Sequence, residues 1–166
     1  MAKVTFKGGP VNTSGEVPAV GSKAPEFTLV DAKLSDVKLS DYKGKNVVLN
    51  IFPSLDTGTC AASVRNFNKK ASSLNNTVVL CISADLPFAA TRFCVAEGIE
   101  NVVTLSTFRD ESFAKDYGLL MTDGPLKGLL ARTVIVLNPS GEVVYTELVS
   151  EIANEPDYDA AINSIV

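Results

Sequence analysis

The order of apolar runs and helical patterns predicts an α/β fold with a mixed central sheet and helices on both faces. Short β-branched runs alternate with stretches in which apolar residues recur every three or four positions. The runs 47–52, 77–83 and 131–137 are almost continuously apolar, as expected of strands that are covered on both faces. An Asn-Pro-Ser-Gly turn at 138–141 then predicts that 142–149 pairs antiparallel with the strand before it.

Shorter strands are predicted around this core. Segment 102–106 supplies another strand of the sheet, and 27–30 with 37–39 suggests two short strands before the core. At the N-terminus, 4–7 and 16–20 flank a stretch rich in Gly, Pro, Asn and Ser. This pattern predicts an N-terminal β-hairpin.

Amphipathic patterns place the helices between the strands. An apolar stripe with steps of three and four runs from Cys60 to Leu74. Pro87 suits the first position of a second helix, and two short helices are predicted within 110–117 and 158–165. The chain has 166 residues, which suffices for one domain and is too few for two ordinary ones, so we expect a single domain over 1–166.

Composition and charge exclude several classes of partner. The chain carries 15 basic and 19 acidic residues, and Lys69-Lys70 is its longest basic run. Nucleic-acid binding requires a basic stripe that neutralises phosphates, and none is visible. There is no apolar stretch near the roughly 18 residues of a membrane helix, and no apolar leader follows the N-terminus. We therefore expect a cytoplasmic protein with no membrane or nucleic-acid partner.

The histidine and cysteine counts narrow the chemistry. The chain has no histidine, which excludes Ser-His and Cys-His pairs, most zinc sites and the usual haem ligation, so no metal or cofactor is expected. Its three cysteines, Cys60, Cys81 and Cys94, show no C-x-x-C spacing. In a cytoplasmic protein such a set either fills the core or includes one or two reactive thiols.

Cys60 has the sequence context of a reactive thiol. A buried strand ends at Phe52, a polar loop follows, and Cys60 then lies in the first turn of a helix. Free backbone N–H groups and the positive end of the helix dipole favour a thiolate at this position, without help from a histidine. Thr57, three residues earlier, is placed to cap the helix or to direct its hydroxyl at whatever the sulfur attacks.

The same residues resemble a known active-site motif. Pro53, Thr57 and Cys60 match the P-x-x-x-T-x-x-C motif of peroxiredoxins. The whole stretch 53–60, Pro-Ser-Leu-Asp-Thr-Gly-Thr-Cys, resembles the bacterial thiol peroxidase group, which are atypical two-cysteine peroxiredoxins. The resemblance continues along nearly the whole chain, at the leading hairpin, Ala24-Pro25-Glu26-Phe27, Asp85-Leu86-Pro87-Phe88, Arg92-Phe93-Cys94 and Ala131-Arg132-Thr133-Val134.

This resemblance implies a thioredoxin-like fold and a role for each motif residue. Cys60 would be the peroxidatic cysteine, which attacks a hydroperoxide and becomes a sulfenic acid. Thr57 would hold the peroxide, Arg132 would favour the thiolate and polarise the substrate, and Pro53 would shield the sulfur from water. From the residues alone, Pro53 is equally an ordinary loop proline, and Arg132 a surface residue at a strand start.

Cys94 resembles the resolving cysteine of the same group. It would attack the sulfenic acid and form an intramolecular Cys60–Cys94 disulfide that a thioredoxin reduces, in a protein that the resemblance also implies is a homodimer. From the residues alone, Cys94 is as readily a core residue. A disulfide requires Cα atoms within about 7 Å, so we hypothesise that both helix turns unwind locally for the bond to form.

Two other classes of function compete with an antioxidant peroxidase. A disulfide reductase or isomerase on a similar fold uses two cysteines within one helical turn, and this chain supplies only Cys60 there. A redox sensor or binding module needs a reactive thiol but has no need of Thr57 and Arg132. Cys81 lies inside an apolar run and is predicted to be a core residue with no redox role. Hydrogen peroxide and alkyl hydroperoxides both remain candidate substrates, and the resemblance favours the latter.

Overall fold

A seven-stranded sheet forms the centre of the computed structural model, which describes residues 2–165. The strands are β1 Lys3–Phe6, β2 Gly9–Asn12, β3 Thr28–Val30, β4 Asp36–Lys38, β5 Asn46–Ile51, β6 Thr77–Ser83, β7 Val103–Ser106, β8 Thr133–Leu137 and β9 Val143–Leu148. The helices are α1 Gly58–Ala71, α2 Pro87–Glu97, α3 Ser112–Asp116 and α4 Tyr158–Asn163, with a 3₁₀ helix at Leu39–Tyr42. The predicted alternation of strands and helices is therefore confirmed.

The sheet is mixed, with the strand order β4-β3-β7-β6-β5-β8-β9. Strands β5, β6 and β7 run parallel, whereas β8 pairs antiparallel with β5, and β9 pairs antiparallel with β8. On the other edge, β3 pairs antiparallel with both β4 and β7. Because β5, β6 and β7 are parallel, the loops that follow them all leave the sheet at the carboxyl ends of these strands. The start of β8 lies at the same end of the sheet.

Side chains alternate between two apolar cores on opposite faces of the sheet. Along β5, Leu49 and Ile51 join one core, while Val48 and the following Phe52 join the other. The first core is closed by α3, and the second is closed by α1, α2 and α4. The predicted covering of both faces by helices is confirmed, and Cys60 belongs to the second core.

The two helices that carry Cys60 and Cys94 are packed to different depths. Helix α1 buries Cys60, Val64 and Phe67 along one stripe, and lysines in its last turn complement the helix dipole. Helix α2 begins with Pro87, ends at Gly98 with a φ of 66°, and fully buries only Pro87 and Ala90. A helix with so few buried side chains opens more easily than α1, which buries four. Along residues 2–165, none of the helices has both the length and the apolar character to cross a membrane.

The N-terminal hairpin is present, but its second strand is not the predicted one. Strand β1 pairs with β2 at Gly9–Asn12, and residues 16–20 form no strand. Lys7 and Gly8 adopt φ values of 50° and 83°, which allow the chain to reverse within two residues. The second strand therefore begins inside the stretch that composition had marked as a turn.

Glu151 anchors the hairpin to the rest of the fold. Its carboxylate accepts hydrogen bonds from the backbone N–H groups of Lys7 and Gly8, at 3.2 and 2.9 Å, and from the Thr5 hydroxyl at 3.1 Å. The backbone N–H of Ala153 donates to the same carboxylate at 2.9 Å. These donors, with Ala153 and Gly8 foremost, lower the pKa of Glu151 to about 2.

This lowered pKa predicts how the hairpin responds to acid. The anchoring is complete above the ordinary glutamate pKa of about 4.3 and is lost only as the pH falls through the folded pKa, so it persists to about pH 3. The check is an NMR titration of the Lys7 and Gly8 amide signals. Glu151→Gln at neutral pH will expose both amides to faster hydrogen exchange, whereas Glu100→Gln on the surface will not. A Gly8 signal that titrates with the ordinary glutamate pKa would contradict the anchoring.

Candidate active site

Cys60 lies in the first turn of α1, and Thr57 caps that turn. The backbone of Thr57 is extended, with φ −99° and ψ 146°, and its hydroxyl oxygen accepts a hydrogen bond from the Cys60 N–H at 3.4 Å. The same hydroxyl donates to the carbonyl of Ser54 at 3.1 Å. The sulfur is thus held near the helix N-terminus, where free N–H groups favour negative charge. This is the placement that the sequence predicted for Cys60 and Thr57.

The β5–β8 register explains why Arg132 reaches Cys60 across 72 residues of sequence. Ile51 at the end of β5 is paired with Thr133 at the start of β8, so Arg132 lies beside the loop that leads to Cys60. Its Nη2 donates to Cys60 Sγ at 3.2 Å, and its Nε donates to the carbonyl of Ile152 at 2.8 Å. Arg132 is only 2% exposed, so the alternative of a surface residue is wrong.

The charge of Arg132 has no carboxylate partner within residues 2–165, so the sulfur is the group placed to balance it. The guanidinium thus places a positive charge directly against the sulfur. The third guanidinium nitrogen, Nη1, is buried and has no hydrogen-bond partner. Such an unsatisfied donor is available to an oxygen that enters the site.

A pocket of about 270 Å³ leads to these groups. Pro53, Thr57 and Arg132 are among its lining residues, and Cys60, which contacts the last two, has no exposed surface of its own. The remaining lining residues are Phe6, Lys7, Gly58, Thr59, Leu126, Ile152 and Ala153. Pro53 is buried and also lines the pocket.

The sequence did not predict the other residues that line this pocket. Phe6 and Lys7 belong to the hairpin. Leu126 lies in the long loop before β8, and Ile152 lies in the segment after β9. Glu151 brings the hairpin to the site, through hydrogen bonds that span more than 140 residues. No local pattern in the sequence signals such contacts.

Cys94 lies outside the pocket. It is half-buried on α2, packs against the same core as Cys60, and borders a separate surface depression lined by Ala32, Ile99 and Val102. Burial raises the pKa of the Cys94 thiol, which therefore stays protonated at neutral pH. The structure thus brings together Cys60, Thr57, Arg132 and Pro53, and keeps Cys94 apart from them.

Cys81 is a core residue of β6, 1% exposed. Burial raises the pKa of its thiol to about 12. A contact from Asn50 Nδ2 at 3.7 Å lowers the pKa, but by less than burial raises it. A thiol with this pKa carries almost no thiolate at neutral pH. The predicted core placement of Cys81 is confirmed.

Known proteins share both the sequence and the fold of this chain. A family model described as Redoxin matches residues 19–162. A thiol peroxidase from Corynebacterium glutamicum is 57% identical over 99% of each chain. Among solved structures, a peroxiredoxin-like protein from Aquifex aeolicus superposes with a TM-score of 0.93 at 39% identity, covering 98% of this chain and 95% of that one. A thiol peroxidase from Chromobacterium violaceum superposes with a TM-score of 0.88 at 26% identity, covering 95% and 91%.

The chain belongs to the redoxin family. This finding confirms the predicted family, the thioredoxin-like fold class and the enzyme class, a peroxiredoxin-type thiol peroxidase. The role of each site residue in this chain stays a prediction.

Replacing Arg132 will slow the reaction of Cys60 with hydroperoxide. Arg132→Met removes the charge and both donors at similar volume, and we expect a loss of roughly 100-fold in rate constant, as for one preorganised donor at a developing charge. Arg132→Lys will recover part of the rate, because an ammonium restores charge without the planar fork. The readout is quenched-flow alkylation with mass detection, since the chain has no tryptophan to report by fluorescence.

The matched control is Arg109→Met, at an exposed arginine paired with Asp36. That variant will keep the wild-type rate constant. A folded Arg132→Met protein that reacts as fast as wild type would remove Arg132 from the site chemistry.

Proposed function

We propose that this enzyme reduces hydrogen peroxide and organic hydroperoxides to water and alcohols through Cys60, and that Cys94 then closes an intramolecular disulfide which thioredoxin reduces. The observation that carries the proposal is the 3.2 Å contact between Arg132 Nη2 and Cys60 Sγ, at a helix start capped by Thr57. Two positive features thus converge on one buried sulfur, without a histidine or a metal ligand set among residues 2–165.

In the first step the Cys60 thiolate attacks one peroxide oxygen. The S–O bond forms as the O–O bond breaks, and the leaving oxygen takes a proton and departs as alcohol or water. We expect Arg132, whose Nη1 has no hydrogen-bond partner, and the Thr57 hydroxyl to meet the negative charge that develops on the peroxide oxygens, with the hydroxyl hydrogen turning from the Ser54 carbonyl to the substrate. The contact of Arg132 Nε with the Ile152 carbonyl holds the guanidinium in place beforehand, so little reorganisation of Arg132 is needed.

In the second step the Cys94 sulfur attacks the Cys60 sulfenic acid, and the hydroxyl group leaves as water. The raised pKa of buried Cys94 means that the thiol must first reach a wetter position to become a nucleophile. We expect the first turn of α1 and the middle of α2 to unwind locally, which the shallow burial of α2 favours. A dithiol reductant then transfers two electrons to the disulfide and restores both cysteines.

The pocket walls support organic hydroperoxides as substrates. Phe6, Leu126 and Ile152 present apolar surface around the approach to Arg132, which suits the alkyl part of a hydroperoxide. We place the enzyme in the cytoplasm, a reducing compartment in which a cycle through free thiols can be sustained. We infer one domain over 1–166, because the family match spans most of the chain and Glu151 fastens the hairpin that precedes it.

A homodimer is part of the proposal, and an exposed apolar patch supports it. Leu86, Phe88 and Phe108 are 51%, 67% and 44% exposed. They follow the parallel neighbours β6 and β7, and the Ser106 hydroxyl donates to the Asp85 carbonyl at 2.6 Å, so the two loops are in contact. An apolar patch of this kind favours association with a second copy of the chain.

Phe88→Asp will therefore shift the protein toward the monomer in analytical ultracentrifugation, because a carboxylate in the interface loses its hydration. Val20→Asp is the matched control, since Val20 is 62% exposed in a different part of the fold. A wild type that sediments as a monomer at all concentrations would exclude the dimer.

Peptide mapping after oxidation tests the two-cysteine cycle. The reduced protein is treated with one equivalent of cumene hydroperoxide, alkylated and digested without reductant. We expect a peptide that links Cys60 to Cys94, with Cys81 carrying the alkyl label of a free thiol, and sustained turnover when thioredoxin and its reductase are added. A stable sulfenic acid on Cys60 with Cys94 unlinked would indicate a one-cysteine enzyme or a sensor. An unreacted Cys60 would overturn the proposal.

A further inference from the structure

The carboxylate of Asp85 joins the loop that leads to Cys60 to the end of β6. Its Oδ1 accepts a hydrogen bond from the Ser54 hydroxyl at 2.8 Å, and its Oδ2 accepts one from the Leu55 N–H at 2.7 Å. The Ser83 hydroxyl, in the last residue of β6, donates to the same Oδ2 at 2.7 Å. Within residues 2–165 no cation pairs with Asp85. Its negative charge is therefore stabilised by these three hydrogen-bond donors. Hydrogen bonds to an ionised carboxylate are about twice as strong as neutral ones.

From Asp85 the contacts continue to Cys60. Ser54, which donates to Asp85, offers its carbonyl to both the hydroxyl and the N–H of Thr57, at 3.1 and 3.2 Å. The Thr57 hydroxyl oxygen in turn accepts the Cys60 N–H. Asp85 thus holds the turn that fixes the cap of α1, although it touches neither Cys60 nor the peroxide pocket.

Asp85 is also bound to the start of the helix that carries Cys94. Its carbonyl accepts the Ser106 hydroxyl at 2.6 Å, and its N–H donates to Ser83 Oγ at 3.2 Å, which fixes its backbone to β6 and β7. The next residue, Leu86, is the N-cap of α2 and offers its carbonyl to the first turn. No side chain caps α2 at this position, so the path of the chain through Asp85 determines where the helix begins.

We propose that Asp85 is a positioning residue that sets the balance between peroxide reduction and disulfide formation. While the carboxylate holds Ser54 and Leu55, Cys60 stays beside Arg132 and reacts with hydroperoxide. When these bonds open, the α1 cap and the start of α2 lose their shared anchor, and the two cysteines become free to meet. The inference rests on the roles proposed above for Cys60 and Cys94.

Two fates of the Cys60 sulfenic acid make this balance measurable. Attack by the Cys94 thiol forms the S–S bond and releases water. Attack of the Cys60 sulfur on a second hydroperoxide breaks the O–O bond, adds another oxygen to the sulfur to give the sulfinic acid, and releases a second alcohol or water. The time that Cys60 spends in the anchored position determines how the sulfenic acid divides between these products.

Asp85→Asn tests the inference, because the amide keeps the shape of the side chain but loses its charge and one acceptor. We expect oxidation of Cys60 to slow and disulfide formation to accelerate, with the two factors multiplying to about tenfold, the change that one charge-assisted hydrogen bond is worth in an equilibrium. The hydroperoxide concentration that gives half sulfinic acid will rise by a similar factor. All three quantities come from quenched alkylation and mass analysis of the full-length enzyme.

Asp56→Asn is the control, since Asp56 lies on the same loop, is exposed and is 3.8 Å from Arg92. It will match wild type in all three measurements. If Asp85→Asn does not fold, Ser54→Ala replaces it as the test variant, because it removes one of the three donors to Asp85. We then expect smaller changes of both rates in the same directions.

Opposite changes in the two rates are the signature of positioning, because a general loss of stability would not raise one rate while lowering the other. Rates equal to those of Asp56→Asn, or a fall in both, would overturn the inference while the wild type still forms the Cys60–Cys94 disulfide. A wild type that forms no such disulfide would instead overturn the proposed function.

Discussion

The contact between the Arg132 guanidinium and the Cys60 sulfur is the interaction on which the rest of the site depends. A guanidinium that is 2% exposed is costly to bury unless its donors find acceptors. The carbonyl of Ile152 satisfies one donor and the sulfur accepts another. The sulfur thus helps to satisfy the buried cation, and the pair exists only because β8 runs antiparallel to β5 with Thr133 beside Ile51.

The other functional segments lie at the same end of the sheet as this pair. Strands β5, β6 and β7 are parallel, so the segments that lead to Cys60, Asp85 and Phe108 all leave the sheet at the carboxyl ends of these strands. Strand topology thus brings together groups that are dispersed along the sequence. The end of the sheet at which parallel strands terminate is the usual position for such sites in open α/β folds.

The sequence was sufficient to predict the features that depend on local patterns. Strand β6 was predicted with its observed bounds because a continuous β-branched run is unambiguous, and the polar loop before Cys60 identified its helix turn. The second hairpin strand was misplaced because Lys7, a residue that rarely takes positive φ, helps to form the turn. The burial of Arg132 and the pocket wall at Leu126 depend on tertiary contacts, which periodicity does not encode.

The two chemical steps place opposite demands on the same few residues. In the proposed reaction with peroxide, Thr57 and Arg132 act around a sulfur with no exposed surface, and their bonds to Ser54 and Ile152 hold them in place. Disulfide formation requires the same sulfur to leave, since Cys94 borders a different depression. The fold accommodates both by placing the rigid contacts on β5, β8 and α1, whose apolar stripe is deep, and the second cysteine on α2, which buries little. Local opening there leaves the core of the sheet intact, because the free energy of opening varies across a structure and is lowest where few apolar contacts are lost.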